Sequence, residues 1–283
     1  MKHVLITGAD SYIGTNFENW LKQWPDEYTV DTVDTIGKEW GNIEFFKYDV
    51  VFHVAGIVHR KETPEMKQLY YDINCDLAVS VAKRAKENGV GQFIFMSTKG
   101  VYTPNTPVIT KDTVPNPTKL YGKSKLQAER ELTKLISENF IVAILRPPTV
   151  YGKGCPGNYK KLSRLAKKLP VFPDIASQRS MIYISNLCEF VRYTIDNRYS
   201  GILFPQNKEY VSSTIMVRQI AEAHGKRIRL SKLLGRFALV CMKKSARLRT
   251  LFSSSVYDKS LSGYGSYEYC TIDFNDSIVE TES

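Results

Sequence analysis

Residues 4–14 read VLITGADSYIG, and this stretch decides the fold of the chain. The apolar run Val4-Leu5-Ile6 is typical of a buried parallel strand. Glycines stand at positions 8 and 14, and residues 16–24 then show the pattern of a helix. A strand, a glycine turn and a helix form a phosphate-binding unit, because N–H groups of the helix terminus face a pyrophosphate. Ser11 replaces the usual middle glycine, so it either caps the helix or donates its hydroxyl to the ligand.

The second strand, residues 28–34, ends in an acid, Asp34. A carboxylate at this place accepts hydrogen bonds from an adenosine ribose and disfavours a 2′-phosphate, which favours NAD as the cofactor. Lys38 nearby leaves NADP open as an alternative. The next clear strand starts at Asp49, which leaves too few residues for a strand flanked by two crossover helices. The usual third strand is therefore expected to be missing or reduced to a remnant near residues 43–46.

The remaining elements of the first half alternate between helix and strand. They are a helix over 63–88, a strand over 92–96, a helix over 118–137 and a strand over 140–145. This order predicts an α/β fold: a Rossmann-type doubly wound parallel sheet, its third strand shortened or missing, with a smaller C-terminal substrate lobe. The Rossmann domain is expected to span 1–153, with 179–200 returning to it. The lobe is expected to span 154–178 and 201–283.

Tyr121 and Lys125 stand in the stretch LYGKSK, residues 120–125, and share one face of the helix predicted there. A free tyrosine has a pKa of about 10 and is a poor base at neutral pH. A lysine ammonium about 4 Å away is expected to lower that pKa by about three units, at an effective dielectric constant near 20. Such a tyrosine suits proton exchange with a hydroxyl or carbonyl group. Thr98 follows the strand at 92–96, at the edge where doubly wound sheets bind ligands.

Composition excludes several other classes of protein. The chain has 283 residues, an apolar content of 43% and a net charge of +10, which suits anionic ligands. The five cysteines are scattered singly, so no zinc or other metal site and no disulfide framework is indicated, and a cytoplasmic location is expected. The N-terminus lacks the apolar region of a signal peptide, and no apolar run is long enough to span a membrane. No nucleic-acid recognition motif is present, so nucleic acid is not expected as a partner.

Residues 226–249 contain nine basic residues and no acidic one, interleaved with leucines, a valine and a phenylalanine. This pattern suits a helix in weak contact with a membrane surface. It also suits a packed helix with solvated lysines, and this second interpretation is the one expected. The chain then ends in a strand-like run at 267–274 and an acidic tail.

The order of these motifs resembles that of the extended short-chain dehydrogenases/reductases. The motifs are Gly8 and Gly14, Thr98, Tyr121 and Lys125, and Arg146-Pro147. Within that superfamily the chain is similar to the NAD-dependent epimerase/dehydratase family, which acts on nucleotide sugars, and the likeness covers nearly the whole chain. It implies a nucleotide-diphosphate sugar as the partner. It also implies a homodimer formed through the helices at 64–88 and 118–137.

The resemblance also implies roles for individual residues. Tyr121 would be the catalytic acid/base, Thr98 the catalytic hydroxyl, and Lys125 the catalytic lysine that holds the nicotinamide ribose, whereas Ser97 is expected to be structural. The cofactor would be bound by Gly8, Ser11, Tyr12, Ile13, Gly14, Asp34, Ala55, Gly56, Lys125 and Pro148. The substrate would be bound by Thr98, by Asn158 on the nucleotide-sugar side and by Arg179 at the diphosphate.

Several functions remain open at this point. The family's dehydratases carry Asp-Glu directly after the hydroxyl residue, whereas Lys99-Gly100 follow Thr98, so dehydration is set aside. The function expected first is NAD-dependent 4-epimerisation of a UDP-hexose, of the UDP-glucose or UDP-N-acetylglucosamine type, in surface polysaccharide biosynthesis. Asp34 favours it, because NAD suits an internally recycled cofactor. The alternatives are NAD(P)H-dependent reduction of a nucleotide 4-keto-6-deoxy sugar and, in another class, a non-catalytic dinucleotide-sensing protein.

Overall fold

The glycine turn joins a strand to a helix, as residues 4–14 predict. The computed structural model describes residues 1–35, 37, 39–58, 62–104, 106–264 and 268–283. In it, β1 (Lys2–Thr7) runs through the turn into α1 (Tyr12–Leu21). Val4, Leu5 and Ile6 are buried, so β1 is part of the core.

The strands and helices follow the predicted α/β order. The strands are β1, β2 (Tyr28–Val33), β3 (Val50–His53), β4 (Gln92–Met96), β5 (Val108–Ile109), β6 (Ile141–Leu145), β7 (Thr149–Tyr151), β8 (Val171–Pro173), β9 (Met181–Tyr183), β10 (Gly201–Leu203), β11 (Arg229–Ser231) and β12 (Val256–Tyr257). The helices are α1, α2 (Lys67–Tyr71), α3 (Leu77–Glu87), α4 (Leu120–Thr133), α5 (Asn158–Lys168), α6 (Ile184–Asp196), α7 (Ser213–Ala223), α8 (Lys232–Met242), α9 (Ala246–Phe252) and α10 (Phe274–Glu282).

Six parallel strands form the central sheet, in the order β10-β6-β4-β3-β1-β2. β2 therefore lies at one edge, and within the described residues no strand follows it before β3. Residues 39–42 and 45–47 form short 3-10 turns instead, and Phe45 is buried in the apolar cluster that contains Val51 and Val81. The predicted loss of the usual third strand is confirmed. Lys38 lies outside the described residues.

The helix predicted over 63–88 is interrupted by a wider turn. Pro64–Met66 form a 3-10 first turn, α2 and α3 follow, and Asp72–Asp76 between them are π-helical. A π turn inserts one extra residue into the helical repeat, and such turns are frequent at functional sites.

Contacts divide the chain into two compact units. The first comprises residues 1–104, 114–148 and 187–205, and the second comprises 105–113, 149–186 and 206–283. These boundaries differ from the expected ones for reasons of strand pairing. β5 pairs with β12, which assigns 105–113 to the second unit, and β7 pairs with β9, which assigns 149–153 and 179–186 there. β10 pairs with β6, so the returning segment extends to 205.

The C-terminal part of the second unit differs from expectation in its last element. Residues 268–273 form no strand, and the acidic tail is helical as α10, which begins after the cap residue Asp273. The side chain of Asp273 accepts the N–H of Asp276 at 2.9 Å, and this bond favours a helix start over a strand. The strand expected over 267–274 is therefore wrong, and its first residue, Tyr267, lies outside the described residues.

The basic segment 226–249 forms β11, α8 and α9. A packed helix is expected to bury its large apolar side chains, but α8 exposes them. Its buried residues are the small ones, Gly235 and Ala238, while Leu233, Phe237 and Val240 are exposed. Within the described part of the chain, no helix is both long and apolar enough to cross a membrane.

Candidate active site

The carboxyl ends of the central strands bring the predicted catalytic residues to one edge of the sheet. The loops after β1, β3 and β4 carry Gly8, Gly56 and Thr98, and α4 carries Tyr121 and Lys125. β1 lies between β2 and β3, so successive strands are added on opposite sides of it. Such a switch point opens a crevice at the carboxyl edge, which is where doubly wound sheets bind ligands.

The turn after β1 has no room for side chains at its glycines. Gly8 has a φ of +96°, and a β-carbon there would lie 2.9 Å from the Ala55 Cα, so the loops after β1 and β3 touch. A β-carbon at Gly14 would lie 2.6 Å from the Ser11 hydroxyl oxygen. Ser11 is the N-cap of α1, and its hydroxyl accepts the Gly14 N–H at 3.2 Å. Ser11 therefore caps the helix, and its hydroxyl hydrogen remains available to donate to a ligand, so its cofactor-binding role stays a prediction.

Asp34 lies beside this turn. The Val33 carbonyl accepts the N–H groups of Gly8 and Ala9 at 2.8 and 3.0 Å, which fixes the end of β2 against the turn. The side chain of Asp34, the next residue, is exposed. The positive end of the α1 dipole also points at the turn. A helix N-terminus with an adjoining carboxylate is the chemistry that a dinucleotide diphosphate and ribose require, so these residues fit NAD.

Asn74, in the π turn, orders the loop after β3. Its side chain is fully buried, accepts the Ile57 N–H at 2.8 Å, and donates to the Ile57 carbonyl at 3.2 Å and the Ser124 hydroxyl at 3.1 Å. A β-carbon at Gly56 would lie 2.8 Å from the Asn74 amide oxygen and 3.3 Å from the Lys125 ammonium. The loop therefore passes directly over both side chains. The sequence carried no signal for this role, because a polar residue within a helix is ordinarily exposed.

Tyr121 is positioned against Thr98, and their side chains hydrogen-bond. Thr98 also accepts the Gly100 N–H at 3.0 Å, which fixes the turn after β4. Gly122 allows the two parts of the chain to approach, because a β-carbon there would overlap the Gly100 carbonyl oxygen. The glycine next to Tyr121 is thus a positioning residue, which the sequence pattern alone did not reveal.

Glu62 caps α4 from a distant part of the chain. Its carboxylate accepts the N–H of Leu120 at 3.0 Å and that of Tyr121 at 3.2 Å, whereas the side chain of Lys119 at the N-cap position makes no capping bond. A carboxylate at this place also interacts favourably with the positive end of the helix dipole. Glu62 therefore holds the helical turn that presents Tyr121.

Burial dominates the pKa values of the candidate catalytic pair. Burial raises the pKa of Tyr121 to about 12, and the hydrogen bond with Thr98 offsets part of the shift. Burial lowers the pKa of Lys125 to about 7, and the Glu129 carboxylate offsets part of that shift. Burial is the largest influence on Tyr121 and raises its pKa above the ordinary value, and the expected lowering of that pKa by Lys125 stays a prediction. Tyr121 is a phenol at neutral pH.

The lowered pKa of Lys125 predicts a pH dependence of stability. The folded protein protonates Lys125 only below about pH 7, whereas an unfolded chain keeps that proton up to about pH 10.4. Between these values the unfolded state binds more protons, so this residue makes the free energy of unfolding rise with pH, by at most about 1.4 kcal/mol per pH unit. Urea denaturation of wild type and Lys125→Met between pH 7 and 9 is expected to give a smaller rise in the variant. An equal rise of the free energy of unfolding with pH in both proteins would contradict the lowered pKa of Lys125.

A buried ion pair fastens α4 to the sheet. The side chains of Glu129 and Arg146 are each 4% exposed and pair through two nitrogen–oxygen contacts. The Ser97 hydroxyl donates to Glu129, and Arg146 donates to the Tyr102 hydroxyl at 2.6 Å. Ser97 thus contacts the ion pair, which is the structural role expected for it. The network holds α4, and with it Tyr121, against the ends of β4 and β6.

The predicted substrate residues Asn158 and Arg179 lie in the second unit. Asn158 is the exposed first residue of α5. The Arg179 guanidinium donates to the carbonyls of Ser253, at 3.1 Å, and Thr250, and burial lowers its pKa. Pro148 is buried at the end of a first-unit segment. The ligand-binding roles of these residues stay predictions.

Comparison of the sequence with known proteins matches it to enzymes of one family. The model of the NAD dependent epimerase/dehydratase family matches residues 4–211. A UDP-glucose 4-epimerase of Vibrio cholerae is 31% identical over 249 residues, which cover 78% of this chain and 76% of that protein. An N-acetyl-alpha-D-glucosaminyl-diphospho-ditrans,octacis-undecaprenol 4-epimerase of Escherichia coli O157:H7 is 29% identical, over 70% of this chain and 65% of that protein.

A solved structure shares the fold across nearly the whole chain. It is a UDP-glucuronic acid 4-epimerase from Bacillus cereus in complex with NAD, with a TM-score of 0.75. The match covers 99% of this chain and 95% of the other at 18% identity. At this identity the likeness concerns the fold, and it supports the Rossmann-type architecture.

Proposed function

The chain belongs to the NAD dependent epimerase/dehydratase family, and we propose that it is an NAD-dependent 4-epimerase of a UDP-hexose such as UDP-glucose or UDP-N-acetylglucosamine. One observation carries the proposal: Thr98, Tyr121 and Lys125 meet at a sheet edge beside a turn that fits a dinucleotide. The Vibrio cholerae relative, by its name a UDP-glucose 4-epimerase, supports this reaction and this nucleotide. The lipid-linked sugar in the name of the Escherichia coli relative supports a place in surface polysaccharide biosynthesis.

The residues that would hold NAD are the turn from Gly8 to Gly14, Asp34, the loop at Ala55-Gly56, and Lys125. The turn suits the diphosphate, and Asp34 suits the adenosine ribose and disfavours NADP. Lys125 lies against Gly56, where it would hold the second ribose. When bound, the nicotinamide ring supplies the reversible hydride acceptor that the reaction needs.

Tyr121 moves the proton in this mechanism. The ionised form, the tyrosinate, takes the proton of the sugar's C4 hydroxyl while C4 is oxidised, and the phenol so formed returns a proton when the keto sugar is reduced on the other face. Thr98 favours the ionised tyrosine by hydrogen bonding to it. Since the pKa of Lys125 is about 7, part of this lysine is an ammonium at neutral pH, and that positive charge favours the tyrosinate. The high pKa of Tyr121 in turn suits the proton-returning step.

The other readings of the same residues are less well supported. Lys99-Gly100 after Thr98 lack the acid pair of the family's dehydratases. A one-way reductase of a 4-keto-6-deoxy sugar would use Thr98, Tyr121 and Lys125 equally well, so the cofactor preference of Asp34 and the named relatives favour the epimerase. A dinucleotide-sensing protein would not need the hydroxyl, the tyrosine and the lysine together.

Incubation of the purified protein with UDP-glucose and, separately, UDP-N-acetylglucosamine tests the proposal. With no dinucleotide added, we expect NMR to detect a C4-inverted product from at least one of them. If neither is converted, while a nucleotide 4-keto-6-deoxy sugar consumes NADH or NADPH, the protein is a reductase. Dinucleotide binding without turnover of any of these substrates would identify a sensing protein.

We also propose that the protein is a homodimer. The helical segments at 64–87 and 120–133 pack side by side, and together they line a cleft of about 720 Å³ that includes Tyr71, Val79 and Gln127. Docking of this surface on its counterpart in a second copy would form a four-helix interface. Sedimentation as a dimer at micromolar concentration is expected, and sedimentation as a monomer would contradict the proposal.

A second candidate substrate is a sugar carried on a polyprenyl diphosphate. The Escherichia coli relative is, by its name, a 4-epimerase of such a substrate. One feature of this chain favours it: α8 exposes large apolar residues within the basic segment 226–249, so a weak membrane contact there would bring the enzyme to the lipid. Faster turnover of the lipid-linked sugar than of the UDP-sugar at equal concentration would favour this second substrate.

We also propose that the enzyme is located in the cytoplasm, because all five cysteines are free thiols.

A further inference from the structure

The outer face of α8 carries large apolar side chains. Leu233, Phe237 and Val240 are 76%, 68% and 67% exposed. Their spacing of i, i+4 and i+7 places them on one side of the helix. The apolar stripe of a helix on a soluble domain ordinarily faces the core, so α8 shows the reverse arrangement. A contiguous exposed stripe of this kind marks a contact surface.

The orientation of α8 is fixed by the small residues on its inner face. Gly235 and Ala238 are buried, and a β-carbon at Gly235 would overlap the carbonyl oxygen of Asp174. Ser231 caps the helix by accepting the Leu234 N–H at 3.2 Å. The backbone of α8 at Gly235 therefore packs directly against the Asp174 carbonyl, and Phe237 lies on the outer face.

The charges around this stripe identify what covers it. Lys232, Arg236 and Lys243 are exposed and follow one another at i, i+4 and i+11, so they line one flank of the stripe. The segment 226–249 has nine basic residues and no acidic one. Cations that flank large apolar side chains are typical of a helix in a membrane interface, where the long basic side chains reach the lipid phosphates. Two copies of such a face would repel each other.

We infer that the outer face of α8 binds the surface of an anionic lipid bilayer. Leu233, Phe237 and Val240 enter the interface, and the basic flank contacts lipid phosphates. α8 has 11 residues, which is too short to cross a bilayer, so the helix lies in the plane of the interface. The inference stands on the geometry of α8 and is independent of the reaction that the enzyme catalyses.

Vesicle flotation tests the inference with the full-length protein. The vesicles contain phosphatidylethanolamine with about one third phosphatidylglycerol, and phosphatidylcholine vesicles serve as the neutral reference. We expect the wild-type protein to bind the anionic vesicles at low salt and to dissociate as salt rises. Phe237→Glu is expected to lower the partition coefficient by about tenfold or more, because it removes a large apolar side chain and adds a negative charge. Arg236→Glu is expected to lower it by about fivefold or more.

Phe46→Glu is the matched control, because Phe46 is 65% exposed and lies in the first unit. It is expected to bind vesicles as the wild type does. No wild-type binding at low salt, or equal losses in Phe237→Glu and Phe46→Glu, would overturn the inference. A change in sedimentation of Phe237→Glu without vesicle binding by the wild type would instead show that a second copy covers α8, and would overturn it too. Conversion of UDP-sugar is measured on the same samples without lipid, so a failure of the proposed reaction is seen separately.

Discussion

Replacement of Tyr121 by Phe is expected to lower the turnover of the UDP-sugar by a factor of about 10² to 10⁴, which is the usual contribution of a positioned acid/base. The variant keeps the ring and loses only the hydroxyl that moves the proton. Its free energy of unfolding is expected to fall by about 1 kcal/mol, because one hydrogen bond, that with Thr98, is lost. Steady-state kinetics and urea denaturation measure the two effects.

Tyr48→Phe is the control for this variant. The Tyr48 hydroxyl donates to the Asp31 carboxylate at 2.8 Å, and Tyr48 precedes β3, so it lies near the amino edge of the sheet. The control also loses one hydroxyl and one hydrogen bond, yet its turnover is expected to match the wild type. Similar turnover in Tyr121→Phe and Tyr48→Phe would remove Tyr121 from the mechanism.

The second large effect concerns the ion pair beneath the site. Glu129→Ala is expected to lower the free energy of unfolding by about 3–5 kcal/mol, because it leaves the Arg146 guanidinium buried without its partner. Ser97 would lose its acceptor as well. Turnover at a temperature where the variant is still folded is also expected to fall, since the network holds the helix that carries Tyr121.

Glu131→Ala provides the comparison on the same helix. Glu131 pairs with Lys134 at 2.8 Å, but their side chains are 32% and 67% exposed, against 4% for each side chain of the buried pair. An exposed pair contributes about 0–1 kcal/mol, so this variant is expected to unfold close to the wild type in urea. If Glu129→Ala and Glu131→Ala lower the free energy of unfolding by the same amount, the buried network does not stabilise α4.

Short-range patterns predicted the core of the candidate site. Thr98 follows a strand whose apolar run is continuous in the sequence, and Tyr121 and Lys125 share a helical face because of their spacing. The loss of the third strand followed from the few residues between Asp34 and Asp49. These features depend on neighbouring residues, so the sequence alone contains them.

Contacts between distant parts of the chain were beyond these patterns. Glu62 caps a helix that begins 58 residues later, and the pairing of β5 with β12 decided the unit boundary. Gly122 has a role only because the Gly100 carbonyl lies against it. Such contacts are properties of the fold, and no local composition signals them.

Two further differences between the expectations from the sequence and the structure also arise from contacts between distant parts of the chain. The spacing of Tyr121 and Lys125 indicates their mutual attraction but not the burial of both, and burial sets the direction of their pKa values. Likewise, periodicity groups Leu233 and Phe237 on one face of α8 without stating which face packs. The room available at Gly235 decides that question, and it depends on Asp174 in a distant segment.

The return of hydrogen to the carbon from which it was taken is the central claim for this enzyme. UDP-glucose and UDP-N-acetylglucosamine carrying deuterium at C4 test it most directly, with the purified protein and no added dinucleotide. We predict that NMR will detect a C4-inverted product, that the product will retain its deuterium, and that Tyr121→Phe will form it at least about 10² times more slowly. A C4-inverted product that has lost its deuterium, or no inversion of either sugar, would contradict the claim.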